Sequence, residues 1–234
     1  MLFRSNDIFV IEASSFQLDK IFSLKFDISI LLNISKDHLD WHGNFRNYIN
    51  SKLNIFKNQN KSCFSIICID DSNCKKIAQT FRKHFSSKLI KISTKQKIRN
   101  GVYLEYLKEG VTIVNQLNNE KIFFNYSKLM FTQVKHNFEN FLATYVVNFL
   151  LKKNEKQFKH SLKKIIGLEH RLEFVGKFKN IFFYNDSKAT NIESSRNAIN
   201  SFKNIYWILG GRKKLGRSEE HTSELQSPMY LVCR

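Results

Sequence analysis

Proline, cysteine and long apolar runs are all scarce in this chain. A single proline in 234 residues, with frequent Lys, Asn, Ile and Phe, is the bias that an A+T-rich coding sequence imposes. Cys63, Cys68, Cys74 and Cys233 follow neither a CxxC zinc spacing nor a dense secreted disulfide framework. No apolar run approaches the roughly 20 residues that cross a bilayer, and the first residues lack a signal-peptide pattern. We therefore expect a globular, cytoplasmic protein with reduced thiols.

Acidic residues are also few, and their shortage sets the charge of the chain. Lys and Arg number 38 against 20 Asp and Glu, which gives a net charge of +18. A basic nucleic-acid-binding module is therefore one alternative. However, the lysines are scattered along nearly the whole chain, as expected for solvated faces rather than a binding stripe. The 42% hydrophobic content is enough for a core in one large or two small domains.

The last 18 residues differ in composition from the rest. Residues 217–234 (RSEEHTSELQSPMYLVCR) contain no Lys, Asn, Ile or Phe, and they include the only proline, Pro228. The run RSEEHTSELQS resembles the translation of a common sequencing adapter, so we expect a non-native tail. A natural polar tail is the alternative.

Strand-like and helical patterns alternate through the first part of the chain. Apolar runs at Asp7–Ala13, Phe26–Asn33 and Phe64–Ile69 predict buried strands, and the helical patterns that follow them predict βαβ units with a parallel sheet. The expected helix starts are Ser14 or Ser15, Asn44, and Asp70 or Asp71. The segment Ser35–Gly43 between the second strand and its helix is expected to be a polar loop.

The pattern then changes to an antiparallel meander and two helices. Short alternating runs between Gly101 and Tyr126 predict the meander. Helices are predicted over residues 136–151 and 155–166, with Gly167 as the C-cap of the second. We place a domain boundary there, so that residues 1–166 form the first domain and residues 167–216 the second.

The βαβ rhythm resumes in the second domain. Strands are predicted over residues 171–178, 181–185 and 205–209, with a helix over residues 192–202. The polar run Asn185–Asn191 (NDSKATN) falls at the strand-to-helix turn, where α/β proteins bind ligands. The alternative is that Asp186 and Thr190 or Asn191 only cap the helix.

Glu12 and His38 follow consecutive predicted strands, so their side chains can meet at one edge of the sheet. A carboxylate and an imidazole can share Mg²⁺ or Mn²⁺ with nucleotide phosphates. A His flanked by Asp37 and Asp40 is equally compatible with a turn. Further along, Asn137 and Asn140 could face a nucleobase, although helix capping also explains Asn137, and Arg171 could bring a cation to a phosphate.

Together these motifs resemble those of the Mur ligases, which are ATP-dependent amide-bond ligases of peptidoglycan synthesis. The resemblance covers residues 7–216, and its motifs occur in the family's order. They are Glu12–Leu18, Asn33–Asp40, Lys135–Asn137 with Asn140, His170–Glu173, Asn185–Asn191 and Leu209–Gly211. The run NDSKATN at residues 185–191 is typical of the branch that joins D-glutamate to UDP-N-acetylmuramoyl-L-alanine. Folylpolyglutamate synthase and sister Mur ligases resemble the chain less closely.

The resemblance implies an α/β fold and two incomplete domains. The first is an incomplete, mostly parallel central ATPase sheet with an antiparallel meander. The second is a partial Rossmann-like C-terminal α/β domain. The family's N-terminal UDP-binding domain and its phosphate-binding P-loop, of the GxxGKS or GxxGKT type, have no counterpart in the sequence. We therefore expect them to precede Leu2, and we expect no ligase activity from the chain alone.

The resemblance also implies roles for individual residues. Glu12 and His38 are the implied Mg²⁺ ligands, and Lys52 matches a lysine that the family carbamylates into a third, anionic ligand. An ordinary exposed helix lysine is the alternative for Lys52. Lys52, Asp186 and Lys188 are the implied catalytic residues. The implied cofactors are ATP and Mg²⁺, and the protein is expected to be a monomer that does not contact membranes.

The remaining implied roles concern ATP and the substrates. Asn137 and Asn140 are expected beside the adenine, and Arg171 and Asp186 beside the ATP phosphates and ribose. The implied ligands of D-glutamate or the transferred phosphate are Lys188, Thr190 and Lys214. Lys213 is the alternative to Lys214. Val134 stands where the family usually has glycine.

Overall fold

The computed structural model describes residues 7–126, 137–165, 167–190, 192–200, 202–208, 210 and 230–233. These residues form a six-stranded sheet and a separate four-stranded sheet. The helices are α1 (Ser15–Asp19), α2 (Leu39–His42), α3 (Phe45–Leu53), α4 (Ser72–His84), α5 (Asn137–Leu150), α6 (Glu155–Leu162) and α7 (Ile192–Ile199), with a 3₁₀ turn at Asn54–Phe56. The strands are β1 (Ile28–Leu31), β2 (Phe64–Cys68), β3 (Lys88–Ser93), β4 (Gly101–Tyr106), β5 (Gly110–Asn115), β6 (Glu120–Asn125), β7 (Glu173–Phe178), β8 (Ile181–Asn185), β9 (Ile205–Ile208) and β10 (Tyr230–Cys233).

The six-stranded sheet runs in chain order from β1 to β6. Strands β1 to β4 are parallel, and their register aligns Ile30 with Ile66 and Ile66 with Ile90. Strands β4, β5 and β6 pair antiparallel as a meander. The prediction of a mostly parallel sheet with an antiparallel meander is confirmed.

The sheet is covered on both faces, which accounts for its continuous apolar strands. Along β2, Ile66 and Cys68 belong to a core that includes residues of α5 and α6. Ile67, which points to the opposite face, belongs to a second core with residues of α3 and α4. Successive side chains of a strand alternate between faces, so a strand between two helical layers is mostly apolar on both, with the small buried Ser65 as the exception in β2.

The local helix signals act as predicted at three of the helix starts. Asn44 caps α3 by accepting a hydrogen bond from the backbone N–H of Asn47 at 2.9 Å. Ser14 caps α1 in a reciprocal capping box with Gln17. Asp71 caps α4 by accepting a hydrogen bond from the backbone N–H of Cys74 at 2.8 Å. These caps satisfy N–H groups that have no partner inside the helix.

The predicted first strand is not formed. Residues 7–13 form no strand or helix, and Ile8, Phe9, Val10 and Ile11 are each more than half exposed. Within the described residues β1 is the edge of the sheet, so the segment lacks the ladder partner that a strand requires. Apolar character favours a strand but does not supply its hydrogen bonds.

The structure differs from the sequence analysis in three smaller ways. Strand β3 was not predicted, because its sequence KLIKIS interrupts its apolar residues with lysine. The loop 35–43 contains the short helix α2, which ends at Gly43 with a positive φ of 76°. The helix predicted over residues 155–166 ends at Leu162 with Lys163 as its C-cap, so Gly167 does not end it.

In the four-stranded sheet, β7 and β8 form an antiparallel hairpin instead of a βαβ unit. Strands β8 and β9 are both antiparallel to β10, which lies between them. They are therefore parallel to each other and are connected through α7. The βαβ prediction holds for β8, α7 and β9, and the predicted helix to Phe202 ends at Ile199.

Strand β10 lies within the tail that we expect to be non-native. Its sequence YLVC is apolar and β-prone, and it pairs with both β8 and β9. An open strand edge offers unpaired N–H and C=O groups to any extended segment that can reach it. The pairing therefore has a physical explanation that does not depend on the origin of the tail.

The described part of the chain has no helix that combines the length and apolarity needed to cross a membrane.

Cys63, Cys68 and Cys74 are buried, free thiols. Burial raises the pKa of the Cys68 and Cys74 thiols above their ordinary value, because the thiolate would lose hydration.

Phe56 provides a test of the second core. It is fully buried, and its ring centroid lies 5.3 Å from that of Phe81 and 5.4 Å from that of Phe85. We expect Phe56→Ala to lower the free energy of unfolding by about 3–5 kcal/mol, because a cavity replaces these contacts. Urea denaturation measures the change. Phe22, which is 84% exposed, provides the control, and an equal loss in Phe22→Ala would contradict the prediction.

Candidate active site

Three predicted metal ligands line one cleft. Glu12 lies in the segment that leads into α1, His38 directly precedes α2, and Lys52 lies in the last turn of α3. All three border a cavity of about 320 Å³. Its other lining residues are Ala13, Ser14, Ser15, Gln17 and Tyr48. The structure therefore brings together residues that are up to 40 positions apart in the sequence.

His38 adopts an unusual backbone conformation at this cleft. Its φ is 53°, in the left-handed region that few non-glycine residues occupy. The backbone N–H of His38 donates to the Asp37 carboxylate at 3.0 Å, and its ring Nε2 lies 3.7 Å from the same side chain. Its ring also contacts Phe16 edge to face, with centroids 4.8 Å apart. These contacts fix the imidazole at the edge of the cleft.

Lys52 is held in an apolar setting. Its Nζ lies 5.1 Å from the centre of the Tyr48 ring, and burial lowers the pKa of the Lys52 amine, although Cys74 and Asp37 act in the opposite direction. Burial also raises the pKa of Tyr48 to about 12. A lowered pKa increases the fraction of neutral amine, the form that reacts with carbon dioxide. Carbamylation of Lys52 stays a prediction.

A buried polar network lies beneath the cleft, and sequence reasoning missed it. His42 Nε2 lies 3.0 Å from the Ser15 hydroxyl, and His42 Nδ1 lies 3.7 Å from the Asp19 carboxylate. Ser51 Oγ lies 3.2 Å from the Ser15 carbonyl oxygen and also contacts the Asp19 carboxylate. The only sequence signal was a histidine before Gly43, which equally marks the end of α2.

A second cluster, also missed, follows β2. The sulfur atom of Cys68 and one carboxylate oxygen each of Asp70 and Glu139 all lie within 4.8 Å of one another. Asp70 is already well satisfied, because it accepts hydrogen bonds from Ser93 and from the backbone and hydroxyl of Thr94. Burial and the nearby Asp70 carboxylate raise the pKa of Glu139 to about 6.

The predicted adenine contacts lie on either side of Glu139 in the first turn of α5. Asn137 is partly buried and Asn140 is exposed. The hydroxyl of Thr144 donates to the backbone carbonyl of Asn140 at 2.8 Å, which leaves the Asn140 side chain uninvolved in that bond. Their placement is compatible with a nucleobase, and their role stays a prediction.

The segments 170–173 and 185–188 come together in the second sheet. The Leu172 backbone N–H donates to the Asp186 carboxylate at 3.1 Å, and the Lys188 backbone N–H donates to the His170 carbonyl at 3.0 Å. Burial raises the pKa of Asp186, opposed by the Leu172 hydrogen bond and by the Arg171 charge. His170 and Leu172 have φ values of 64° and 47°. Both segments are therefore tightly constrained around Asp186.

The position of Asp186 is not that of a capping residue for α7. Its side chain bonds to Leu172, and α7 begins six residues later at Ile192, so Asp186 does not cap that helix. Lys188 and Thr190 are exposed, as ligand-binding side chains can be. Asn191, Val134, Lys213 and Lys214 lie outside the described residues.

Comparison with known proteins identifies the family. The model of the Mur ligase middle domain matches residues 1–148. This chain belongs to the Mur ligase family. Its curated relatives include proteins named UDP-N-acetylmuramoylalanine–D-glutamate ligase. That of Rickettsia prowazekii is 35% identical over 92% of this chain, and that of Christiangramia forsetii is 40% identical over 89%.

Solved Mur ligase structures have the same fold. A MurF structure from Acinetobacter baumannii matches 80% of this chain with a TM-score of 0.61 and 18% identity, covering 39% of that protein. MurF from Thermotoga maritima, solved with ADP, matches 77% of this chain and 40% of its own length, with a TM-score of 0.57 and 14% identity. Similarly, this Mur ligase chain spans 46% of each of the two curated relatives named above.

The Glu139 carboxyl predicts a pH dependence of stability. Its folded pKa of about 6 exceeds the ordinary value of 4.5, so the folded state binds the proton more tightly. Stability from this group is therefore complete below pH 4.5 and is lost as the pH rises through 6. Glu139→Gln should remove this loss and raise the free energy of unfolding at pH 7 by about 1 kcal/mol, after allowance for solvent screening.

Urea denaturation between pH 4.5 and 8 measures this effect. Glu109→Gln is the matched control, since Glu109 is exposed in the turn between β4 and β5. A Glu139→Gln profile parallel to that of the wild type across this range would contradict the prediction.

Proposed function

We propose that this chain is part of an ATP-dependent ligase that joins D-glutamate to UDP-N-acetylmuramoyl-L-alanine in peptidoglycan synthesis. The observation that carries the proposal is the agreement of its curated relatives, 35–40% identical over about 90% of the chain, on that name. The run NDSKATN at residues 185–191 supports the same amino-acid substrate. We also propose a monomer in the cytoplasm, where buried, unpaired cysteines remain reduced.

The proposed reaction has two steps. The alanyl carboxylate oxygen attacks the γ-phosphorus of ATP, the bond to ADP breaks, and an acyl phosphate forms. The amine of D-glutamate then attacks the acyl carbon, loses a proton, and expels inorganic phosphate to leave an amide. The first step turns a carboxylate, a poor electrophile, into an activated acyl group. Most of the catalysis is positioning and charge stabilisation.

The residues of the first cleft fit a divalent cation. Glu12 and His38 offer an oxygen and a nitrogen ligand, and a carbamylated Lys52 would add two oxygens. When bound, Mg²⁺ would offset negative charge on the phosphoryl oxygens. The burial of Lys52 and its lowered pKa support this assignment.

The second sheet supplies the proposed contacts to nucleotide and amino acid. We assign Arg171 and Asp186 to the phosphates and ribose of ATP, and Asn137 and Asn140 to its adenine. Lys188 and Thr190, with Lys214, offer cationic and hydroxyl groups to the two carboxylates of D-glutamate. The close contacts between residues 170–173 and 185–188 support a shared site for Arg171, Asp186 and Lys188.

Mn²⁺ binding to the chain itself tests the first cleft. We expect one bound Mn²⁺ by electron paramagnetic resonance, with an affinity that rises when bicarbonate is added. Glu12→Gln should weaken binding at least about 10-fold, because an anionic ligand is lost. Lys52→Met should abolish the bicarbonate effect, since it has no amine to carbamylate. Glu109→Gln is the control, and a wild-type chain that binds no Mn²⁺ would refute the cation site.

A chimera tests the reaction. Residues 7–216 would replace the aligned segment of the 40%-identical Christiangramia forsetii protein. We expect phosphate release that requires ATP, the UDP-linked substrate and D-glutamate, and a loss of about 100-fold in Lys188→Ala. Lys179→Ala is the control, because Lys179 lies in the turn between β7 and β8. A folded chimera that uses another amino acid but not D-glutamate would contradict the proposed substrate.

A further inference from the structure

His42 occupies a central position among the three candidate cation ligands, although it does not line their cleft. Its ring stacks on Phe16 with centroids 5.6 Å apart and meets Tyr48 edge to face at 5.4 Å. Phe16 in turn contacts the His38 ring, and the Lys52 amine lies over Tyr48. The aromatic contacts thus run from one candidate ligand to another through His42.

The polar contacts of His42 are with α1, which begins three residues after the third candidate ligand, Glu12. Its Nε2 is 3.0 Å from the hydroxyl of Ser15, the first residue of α1, and Glu12 lies three positions earlier. Asp19, at the other end of α1, faces Nδ1 of His42. The His42 side chain is only 2% exposed and its contact with Ser15 is buried, whereas the Asp19 side chain is 40% exposed. His42 therefore holds both ends of α1.

The same helix is tied to α3 beside Lys52. Ser51 contacts both the Ser15 carbonyl oxygen and the Asp19 carboxylate, and Asn54 donates to the Leu18 carbonyl at 3.2 Å. Ser51 itself is buried. Because α1 is a helix of only five residues, its position depends on these tertiary contacts more than on its own hydrogen bonds.

We propose that His42 is a positioning residue that sets the spacing of Glu12, His38 and Lys52 for a divalent cation. It acts through Ser15 and Asp19 on α1, and through Phe16 and Tyr48 on the two other ligands. An Asp19 carboxylate facing Nδ1 favours the proton on that nitrogen, which leaves Nε2 to accept from Ser15. This inference rests on the proposed cation site and adds to it a residue outside the ligand set.

The experiment compares Mn²⁺ affinities of the whole chain with bicarbonate present. His42→Phe keeps a ring between Phe16 and Tyr48 but removes both nitrogens, and we expect it to weaken binding by about 10-fold or more. Ser15→Ala should also weaken binding. The double variant should be no weaker than His42→Phe alone, because both changes break one interaction. His84→Phe, the same substitution at an exposed histidine, should leave the affinity unchanged.

Two further readouts separate positioning from general stability. Circular dichroism gives the folded fraction, so that each affinity refers to folded protein. Nitrogen-15 NMR should show His42 protonated at Nδ1 in the metal-free wild type, and Asp19→Asn should shift that signal. If His42→Phe fails to fold, Ser15→Ala, which removes one oxygen atom, provides the same comparison.

The possible outcomes distinguish this inference from the proposal on which it rests. Weaker binding by folded His42→Phe, with a non-additive double variant, supports positioning through Ser15. Wild-type affinity in a less stable His42→Phe overturns it, as does wild-type affinity in Ser15→Ala or strict additivity. A wild-type chain that binds no Mn²⁺ overturns the cation site itself, and the positioning role with it.

Discussion

The burial of β2 on both faces is the constraint on which the central unit depends. Ile66 and Cys68 fill one core and Ile67 fills the other, so two helical layers are fixed to a single strand. Because the neighbouring strands are parallel, their carboxyl ends lie at the same edge of the sheet, where the chain must turn away from the core. Asp70 and the residues after β1 lie at such ends. Polar side chains accumulate there because the apolar layers on either side exclude them.

Partial burial determines the chemistry available at this edge. Lys52 loses part of its preference for the charged form, and Glu139 loses part of its preference for the carboxylate. Both shifts arise mainly from desolvation, so packing controls them more than any single charge partner. His42 shows the complementary effect, because a buried ring surrounded by Phe16, Tyr48 and Ser15 has little freedom to rotate. The same packing therefore sets both protonation and geometry.

The sequence predicted those parts of the molecule that local patterns determine. Apolar runs and alternation predicted β1, β2 and the meander but not β3. Ser14 and Asp71 were recognised as possible helix starts because capping is a local interaction. Residues 7–13 were mispredicted because a strand also needs a partner, which no local pattern reports. His42 escaped detection for a similar reason, since its partners Ser15 and Asp19 are more than 20 residues away. Glu12 and His38 could be proposed from the ends of their predicted strands, with a turn as the alternative for His38, whereas Lys52 required the family resemblance.

The buried thiols have a practical consequence for spectroscopy. Cys68 and Cys74 are fully buried, and their raised pKa keeps them as thiols, which are poor nucleophiles at neutral pH. Maleimide dyes and nitroxide spin labels react with exposed thiolates and would therefore not label these two residues, or the equally buried Cys63, while the protein is folded. Once Cys233 is replaced, a single cysteine introduced on the exposed face of α4 could carry a probe without removal of the thiols that pack in the two cores.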